Sequence, residues 1–120
     1  MSRRQNQGRW GEDLAAEYLQ AQGYAVVAHN LRNEYCEIDL PAQQGEVLVF
    51  VEVKTRSSHQ LCHPEEAVDA AKLEHIIAAA ENYLQQQPDA AVDWRVDVIT
   101  ICKLQSGQPP EILHFENVIA

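Results

Sequence analysis

The stretch CEIDLPAQQGEVLVFVEVKTR, residues 36–56, joins a long apolar run to charged residues. Its second half, residues 46–56, is rich in β-branched residues and almost continuously apolar, which favours a strand in the middle of a covered sheet. Glu52 and Lys54 nevertheless stand at the end of this run, and Asp39 stands in another apolar setting upstream. Burying an unpaired charge costs on the order of several kcal/mol. The stretch therefore predicts a functional site at the end of a buried strand.

A hairpin turn sets the register of this stretch. Gly45 and the residue after it predict a two-residue turn with glycine first, so that the numbers of paired residues sum to 91 and Asp39 lies opposite Glu52. Because side chains alternate along a strand, Glu52 and Lys54 share one face. A bulge in residues 41–44 would break this register. Without a bulge, the two carboxylates and the lysine are expected to converge on one patch.

The rest of the sequence predicts an α/β fold, a mixed β-sheet flanked by helices in the order α-β-β-β-α-β-β. Residues 3–23 form an amphipathic helix that ends at a glycine, with Trp10 on its buried stripe. Residues 24–29 and 34–41 are strands, and the second is stopped or moved to a sheet edge by Pro41. The later elements are a helix over residues 64–87, a strand over residues 93–104 and a short strand over residues 112–118.

Length and composition describe one ordinary globular domain. The chain has 120 residues, 46% hydrophobic and 22% charged, which suits a single core. No apolar run approaches the roughly 20 residues that a membrane helix needs, and no apolar segment follows the basic N-terminus as in a secretory signal. Three widely spaced cysteines favour reduced thiols in a cytoplasmic protein. Membrane and secreted classes are therefore not expected.

The charge distribution bears on the class of partner. The net charge of −9 argues against a polyanion, but residues 1–56 hold six basic and eight acidic residues, against three and ten in residues 57–120. A local basic face in the first half and scattered solubilising charge are both open interpretations. The candidate phosphate contacts are Arg32 and Arg56, which flank the acidic patch, and Lys72 on the second helix.

The converging acids and lysine have a chemical interpretation. Two facing carboxylates repel each other, and a hard cation such as Mg²⁺ compensates them through one or two carboxylates, waters and a substrate phosphate. Lys54 then binds the scissile phosphate, or positions or deprotonates the attacking water, as metal-assisted phosphodiester hydrolysis requires. Glu12, near the start of the first helix, supplies a third acid. The alternative is a cross-strand ion-pair network on a solvated sheet face.

Two further groups of residues receive other interpretations. Arg95 and Asp97 on the fourth predicted strand are expected to form a buried structural ion pair. His59, Cys62 and His63 form an H-x-x-C-H pattern, but no fourth zinc ligand follows at a usual spacing. Zinc is therefore not the expected metal.

Several motifs in order carry a resemblance to a known family. GEDLAAEYLQAQGYAVVAHNLRNEYCEIDL, LVFVEVKTRS, AAENYL and WRVDVITI resemble the YraN-like family of small bacterial proteins, over nearly the whole chain. That family is placed with the Holliday-junction-resolvase-like endonucleases of the PD-(D/E)xK superfamily. The resemblance implies a restriction-endonuclease-like core over residues 1–120, Mg²⁺ or Mn²⁺ as cofactor, branched or single-stranded DNA as substrate, and a homodimer.

The resemblance also assigns site residues. The superfamily's helix glutamate matches Glu12, its metal-binding aspartate matches Asp39, and its E-x-K matches Glu52 and Lys54; the Val53 carbonyl is a further metal ligand. A cysteine precedes EIDL where the family commonly has glycine, and the chain closes on NVIA, but neither departure touches these residues. The implied activity is phosphodiester hydrolysis in DNA. The alternatives are a non-catalytic nucleic-acid-binding or regulatory module with the same fold, and a role in protein interaction alone.

Overall fold

The computed structural model describes residues 3–32, 34, 37–56, 70–86, 93–103 and 107–119. The elements in chain order are α1 (Arg3–Ala21), β1 (Ala25–Val26), β2 (Leu31–Arg32), β3 (Glu37–Ile38), β4 (Leu40–Gln44), β5 (Val47–Arg56), α2 (Ala70–Gln85), β6 (Trp94–Cys102) and β7 (Glu111–Phe115). Five strands form one sheet in the order β1-β4-β5-β6-β7, and β2 pairs with β3. Only β5 and β6 are parallel among these described pairs. The predicted mixed α/β architecture is confirmed, but the predicted order α-β-β-β-α-β-β is wrong, because five strands and not three precede α2 in the described residues. The strand expected over residues 34–41 is divided by a bend at Asp39 into β3 and β4, and β2 forms in a segment that was not predicted as a strand.

The hairpin between β4 and β5 has the predicted register. Gly45 adopts a φ of 59°, which glycine tolerates and which the tight turn requires. The pairs run without a bulge from Gln44 opposite Val47 to Leu40 opposite Val51. The residue numbers of each pair sum to 91, as expected. The even-numbered residues of β5, among them Glu52 and Lys54, therefore share one face as the sequence predicts.

The prediction for Pro41 is wrong, since β4 continues through this residue to Gln44. Pro41 lies opposite Phe50 and is buried. Its carbonyl accepts a hydrogen bond from the Val27 amide at 2.8 Å. The N–H and C=O of one strand residue point to the same side, so the missing N–H of Pro41 faces the end of the short strand β1, where it removes no bond from the β5 ladder.

The strands at both edges of the five-stranded sheet are shorter than predicted. The strand expected over residues 24–29 is limited to Ala25–Val26, because the chain turns at Asn30 with a φ of 55°. Likewise β7 ends at Phe115, and Asn117 has a φ of 53°. Asparagine is among the few residues that enter this left-handed region readily, and both turns lie where the extended pairing stops.

Each face of the sheet carries one apolar core. Val49 and Val51 of β5 pack with α1, whereas Phe50 packs with α2. The side chains of Glu52 and Lys54, which are also even-numbered, therefore fall on the α2 face. Trp10 does not join the core beneath α1 as predicted, because its ring lies beside Lys103, past the end of β6, and stays 37% exposed.

The second helix agrees with its prediction over the residues that the structure describes. The expected range was residues 64–87, and α2 covers Ala70–Gln85. Residues 57–69 lie outside the described residues, and with them lies the H-x-x-C-H pattern. Neither α1 nor α2 is long and apolar enough to cross a membrane.

The prediction of three reduced thiols is wrong for Cys102. This residue ends β6, is fully buried, and is disulfide-bonded. Sequence spacing did not indicate a disulfide because pairing depends on which cysteines the fold brings together.

A buried ion pair joins β6 to β7 and the C-terminal residues. The carboxylate of Asp97 is fully buried and accepts hydrogen bonds from Arg95 Nε at 2.9 Å, His114 Nε2 at 2.7 Å and the Asn117 amide at 2.9 Å. Burial by itself raises the pKa of Asp97, but these donors together hold that pKa below its ordinary value. Tyr18 of α1 joins the network through its hydroxyl, 3.1 Å from His114 Nδ1. The predicted Arg95–Asp97 pair is confirmed.

This network predicts a large loss of stability on removing its acid. Asp97→Ala leaves a half-buried guanidinium, an imidazole and an amide without their shared acceptor. We therefore expect the free energy of unfolding to fall by about 3–5 kcal/mol. Urea denaturation measures this value. Asp93→Ala is the matched control, because Asp93 is exposed, and a loss no larger than in this control would contradict the prediction.

Candidate functional site

The strand pairing between β4 and β5 stops where the predicted site begins. The ladder ends with Leu40 opposite Val51, and Asp39 forms a bend between β3 and β4. The Val53 amide donates to Asp39 Oδ2 at 2.9 Å. The ladder thus stops one pair before the expected Asp39–Glu52 pair, because a side chain replaces the backbone as the partner of β5.

This hydrogen bond also fixes the direction of the Val53 carbonyl. The N–H and C=O of one strand residue point to the same side, and the Val53 N–H points to Asp39. The Val53 carbonyl therefore lies on the Asp39 side of β5 and not on the β6 side. Its predicted role as a metal ligand needs this orientation.

Glu52 is a buried acid with an incomplete set of partners. Its side chain is 5% exposed, and Oε1 lies 3.3 Å from Lys54 Nζ and 4.0 Å from Lys72 Nζ. The other oxygen, Oε2, is buried without a hydrogen-bond partner. Burial, and next the charge of Asp39, raise the pKa of Glu52 to about 7 despite the two lysines. Both lysines thus contact Oε1, and no described residue donates a hydrogen bond to Oε2.

The pKa values of Asp39 and Glu12 are raised as well. Burial is the main cause for Asp39, against the opposing hydrogen bond from the Val53 amide. For Glu12 the causes are burial and then the charge of Asp39, whereas the Asn30 side-chain amide, which donates to Glu12 Oε2 at 3.0 Å, acts in the opposite direction. Asp39 thus interacts electrostatically with Glu52 on β5 and with Glu12 on α1.

A close contact between α1 and β5 positions Glu12. Gly11 lies so near Thr55 that a Cβ at this position would collide with Thr55 Oγ1, and it would also contact Ile101 at 3.8 Å. A glycine therefore permits the helix to approach the carboxyl-terminal parts of β5 and β6. Glu12 is the next residue, so this approach brings its carboxylate toward Asp39.

The predicted basic residues take different places. Lys72 of α2 joins the site through Glu52, at 4.0 Å. Arg32 pairs with Glu37 at 3.4 Å and its side chain is 78% exposed, so it lies at the outer side of the β2–β3 ribbon. Arg56 ends β5, with Nη1 3.5 Å from the Thr55 carbonyl oxygen. Lys72 is therefore part of the cluster, whereas contacts of Arg32 and Arg56 with phosphate stay predictions.

Sequence reasoning missed two residues of this region. Asn30 holds Glu12 and turns the chain with a positive φ; an asparagine between two apolar segments was the available signal. Thr100 lies beside Lys54 in the parallel β5–β6 register. Its hydroxyl is buried without a hydrogen-bond partner, and a lone threonine inside an apolar strand gives no clear sign of that.

The acids of this site suit a hard divalent cation. Within residues 3–32, 34, 37–56, 70–86, 93–103 and 107–119, no three carboxylate, imidazole or thiol groups gather closely enough to make a ready-formed metal site. Mg²⁺, however, is usually held by one or two carboxylates and completes its shell with water and phosphate oxygens. Asp39 and Glu52 provide such a pair, and the unpartnered Glu52 Oε2 is an oxygen that a cation would satisfy.

The raised pKa of Glu52 predicts a dependence of stability on pH. Between its ordinary value of 4.5 and about 7, the folded protein holds a proton that the unfolded chain has released. The free energy of unfolding should therefore fall as pH rises through this window, by roughly 1.4 kcal/mol per pH unit at most, and Glu52→Gln should remove this fall.

Urea denaturation of wild type and Glu52→Gln across pH 4–9, in chelator, gives the free energy of unfolding of each protein against pH. The difference between these two curves measures the effect. This difference cancels the contributions of the other carboxyl groups. Parallel curves would contradict the raised pKa, and Glu46→Gln, on the exposed hairpin turn, is the control.

Comparison with known proteins places the chain in a family. The family model described as "Uncharacterised protein family UPF0102" matches residues 11–101. A UPF0102 protein of Syntrophotalea carbinolica is 42% identical over 108 residues, covering 90% of this chain and 86% of the relative. One from Dichelobacter nodosus is 41% identical over 112 residues, covering 93% and 87%, and one from Chlorobium limicola is 47% identical over 94 residues, covering 78% and 73%. The chain therefore belongs to the UPF0102 family, the YraN-like family that its sequence motifs predict.

Proposed function

We propose that this protein is a metal-dependent nuclease that hydrolyses phosphodiester bonds in DNA. The observation that carries the proposal is the buried carboxylate of Glu52, which has Lys54 and Lys72 on one oxygen and no hydrogen-bond partner on the other. Asp39 adds a second negative charge next to it. An arrangement that serves stability alone would pair both oxygens, whereas a cation-binding carboxylate needs one available.

The resemblance to PD-(D/E)xK nucleases also supports the nuclease proposal. It assigns the E-x-K motif to Glu52 and Lys54, and these residues share the face of β5 that their spacing requires. The UPF0102 family itself is uncharacterised, so the proposal rests on the residues of this chain. The restriction-endonuclease-like core and the homodimer belong to the proposal as well.

The proposed metal site uses oxygens from three elements. Asp39 and Glu52 would hold Mg²⁺ or Mn²⁺ together with the Val53 carbonyl, which lies on the Asp39 side of β5. Glu12 would bind from α1, directly or through a water. When bound, the ion supplies a Lewis acid for the phosphoryl oxygen and lowers the pKa of a water molecule.

The lysines supply the remaining chemistry. Lys54 Nζ lies 3.3 Å from Glu52 Oε1. As an ammonium it would stabilise negative charge on the phosphate, and only as the neutral amine would it take up the proton of the attacking water. Lys72 contributes a second, more distant positive charge from α2. Arg32 and Arg56 would contact phosphates outside this centre, where they contribute to affinity and not to the reaction.

The second candidate function is that of a nucleic-acid-binding or regulatory module that has this fold and does not catalyse a reaction. The described residues contain no three-ligand metal cluster, and this observation favours the alternative. The two functions differ in metal affinity, because only the first requires Asp39 and Glu52 to bind a cation.

The nuclease proposal predicts cleavage that depends on a divalent metal. Purified protein with Mg²⁺ or Mn²⁺ should cut labelled single-stranded, flapped or four-way-junction DNA, and chelation should stop the reaction. Lys54→Ala should lower the rate by about 10²–10³-fold, the usual contribution of one charge-stabilising group in a catalytic site. Gel electrophoresis of end-labelled substrate measures the rate.

Controls separate chemistry from folding. Lys72→Ala should retain most of the activity, because this lysine lies farther from Glu52, and Glu46→Gln should be unchanged. Cleavage that persists both in chelator and in Lys54→Ala would come from a contaminant or another mechanism, and would exclude the proposal.

The metal itself gives an independent prediction. Isothermal titration calorimetry should detect Mn²⁺ binding that is lost in Asp39→Asn and in Glu52→Gln. Affinity should rise with pH through about 7, because Glu52 must release its proton to act as a ligand. Absence of binding at millimolar Mn²⁺, with DNA binding intact, would establish the non-catalytic alternative.

A further inference from the structure

One large aromatic side chain of α1, two residues before Glu12, remains partly exposed. In the described part of the chain, the large hydrophobic residues that stay exposed are Trp10 and Val27, and Trp10 has 37% of its surface accessible. An indole ring has much apolar area to bury and usually sits in a core or an interface. The open part of the Trp10 ring is therefore available to a ligand that stacks on it.

A lysine lies over the same ring. Lys103 Nζ is 5.0 Å from the centroid of Trp10, which is within the range of a cation–π interaction. Lys103 directly follows β6, and its backbone amide donates to the Arg56 carbonyl at 2.8 Å. The aromatic ring and the positive charge are thus contributed by two different elements, and each is anchored to the fold.

The position of this pair is set by the contact between α1 and the sheet. Gly11, which follows Trp10, packs against Thr55 and Ile101. Thr55 follows Lys54 in β5, and Glu12 follows Gly11 in α1. Trp10 thus precedes Glu12 by two residues on α1. The Lys103 amide is bonded to Arg56, which lies two residues beyond Lys54 on β5.

We infer that Trp10 and Lys103 form a subsite for one unpaired nucleotide of single-stranded DNA, with the base stacked on the indole and its phosphate at the ammonium. Base–aromatic stacking together with a nearby cation is the usual means of holding a single strand without reading its sequence. A paired base has both faces covered by its neighbours, so the subsite excludes intact duplex. The inference rests on the proposed function and narrows its substrate to DNA with an unpaired segment.

Charged residues of both signs lie along α1 near Trp10. Arg9 is exposed beside Trp10, whereas Asp13 and Glu17 are exposed farther along α1. Phosphates are attracted to the Arg9–Lys103 side and repelled from the two acids. Arg9 and Lys103 favour an anionic ligand, and a single strand of DNA supplies both the phosphate for these charges and the base that stacks on the ring.

Binding measured in chelator tests the subsite without cleavage. We use fluorescence anisotropy with labelled oligothymidine, the same oligonucleotide with abasic central nucleotides, and a duplex of equal length. Trp10→Ala should weaken binding of oligothymidine about tenfold or more, while Trp10→Phe should retain most of the affinity. The abasic oligonucleotide and the duplex should bind wild type and Trp10→Ala equally.

Two further measurements identify the partners within the subsite. Lys103→Gln should reduce the slope of log affinity against log salt by about 0.7, the value for one phosphate contact on a single strand. Trp94→Phe leaves Trp10 as the one remaining tryptophan, and its fluorescence should be quenched by oligothymidine. Trp94 is also the matched control for affinity, because it packs against Phe50 with ring centroids 5.9 Å apart.

The possible outcomes separate this inference from the nuclease proposal. Equal binding of oligothymidine by wild type and Trp10→Ala overturns the subsite, even if the protein cleaves DNA. An equal loss for the abasic oligonucleotide also overturns it, because the ring would then act without stacking. A loss confined to base-containing single strands, in a protein that never cleaves, supports the subsite and excludes the nuclease.

Discussion

The hydrogen bond from the Val53 amide to the Asp39 carboxylate is the interaction on which the candidate site depends. It lies at the point where β4 stops pairing with β5, so a charged side chain completes the backbone bonding of the central strand. This bond holds Asp39 next to Glu52 and directs the Val53 carbonyl to the same side. Without it, the backbone of β5 beyond Val51 would be unpaired on the β4 side. The attachment that holds Asp39 beside Glu52 would also be lost.

The rest of the fold keeps this edge in place. The apolar residues of β5 are buried on both faces of the sheet, by α1 on one side and by α2 on the other. Gly11 lets α1 come close enough for Glu12 to reach the region of Asp39, while α2 brings Lys72 to Glu52. On the α1 face, the Asp97 network links that helix to β6 and β7. The groups of the site thus come from separate elements, each fixed by burial.

Local patterns in the sequence predicted the parts of the structure that depend on neighbouring residues. The glycine turn and the alternation of side chains were enough to give the register of β4 and β5 and the shared face of Glu52 and Lys54. The Arg95–Asp97 pair followed from charges within an apolar strand. Features set by distant contacts were not predictable in this way: Pro41 is tolerated because β1 has ended beside it, and Trp10 is exposed because α1 reaches past β6. The bend at Asp39 depends both on neighbouring residues and on a distant contact, the hydrogen bond from the Val53 amide.

The electrostatics of Glu52 differ from those of a structural ion pair. Two lysines lie near its carboxylate, and yet burial and the charge of Asp39 together outweigh them and raise the pKa to about 7. An ordinary structural ion pair has the opposite result, as Asp97 shows in the same protein, where three donors hold the pKa below its usual value. The protein therefore satisfies one buried acid completely and leaves another short of positive charge. A divalent cation between Asp39 and Glu52 would supply the missing charge at Glu52 Oε2, which has no hydrogen-bond partner among the described residues. The lysine charge beside it would then be available to a phosphate.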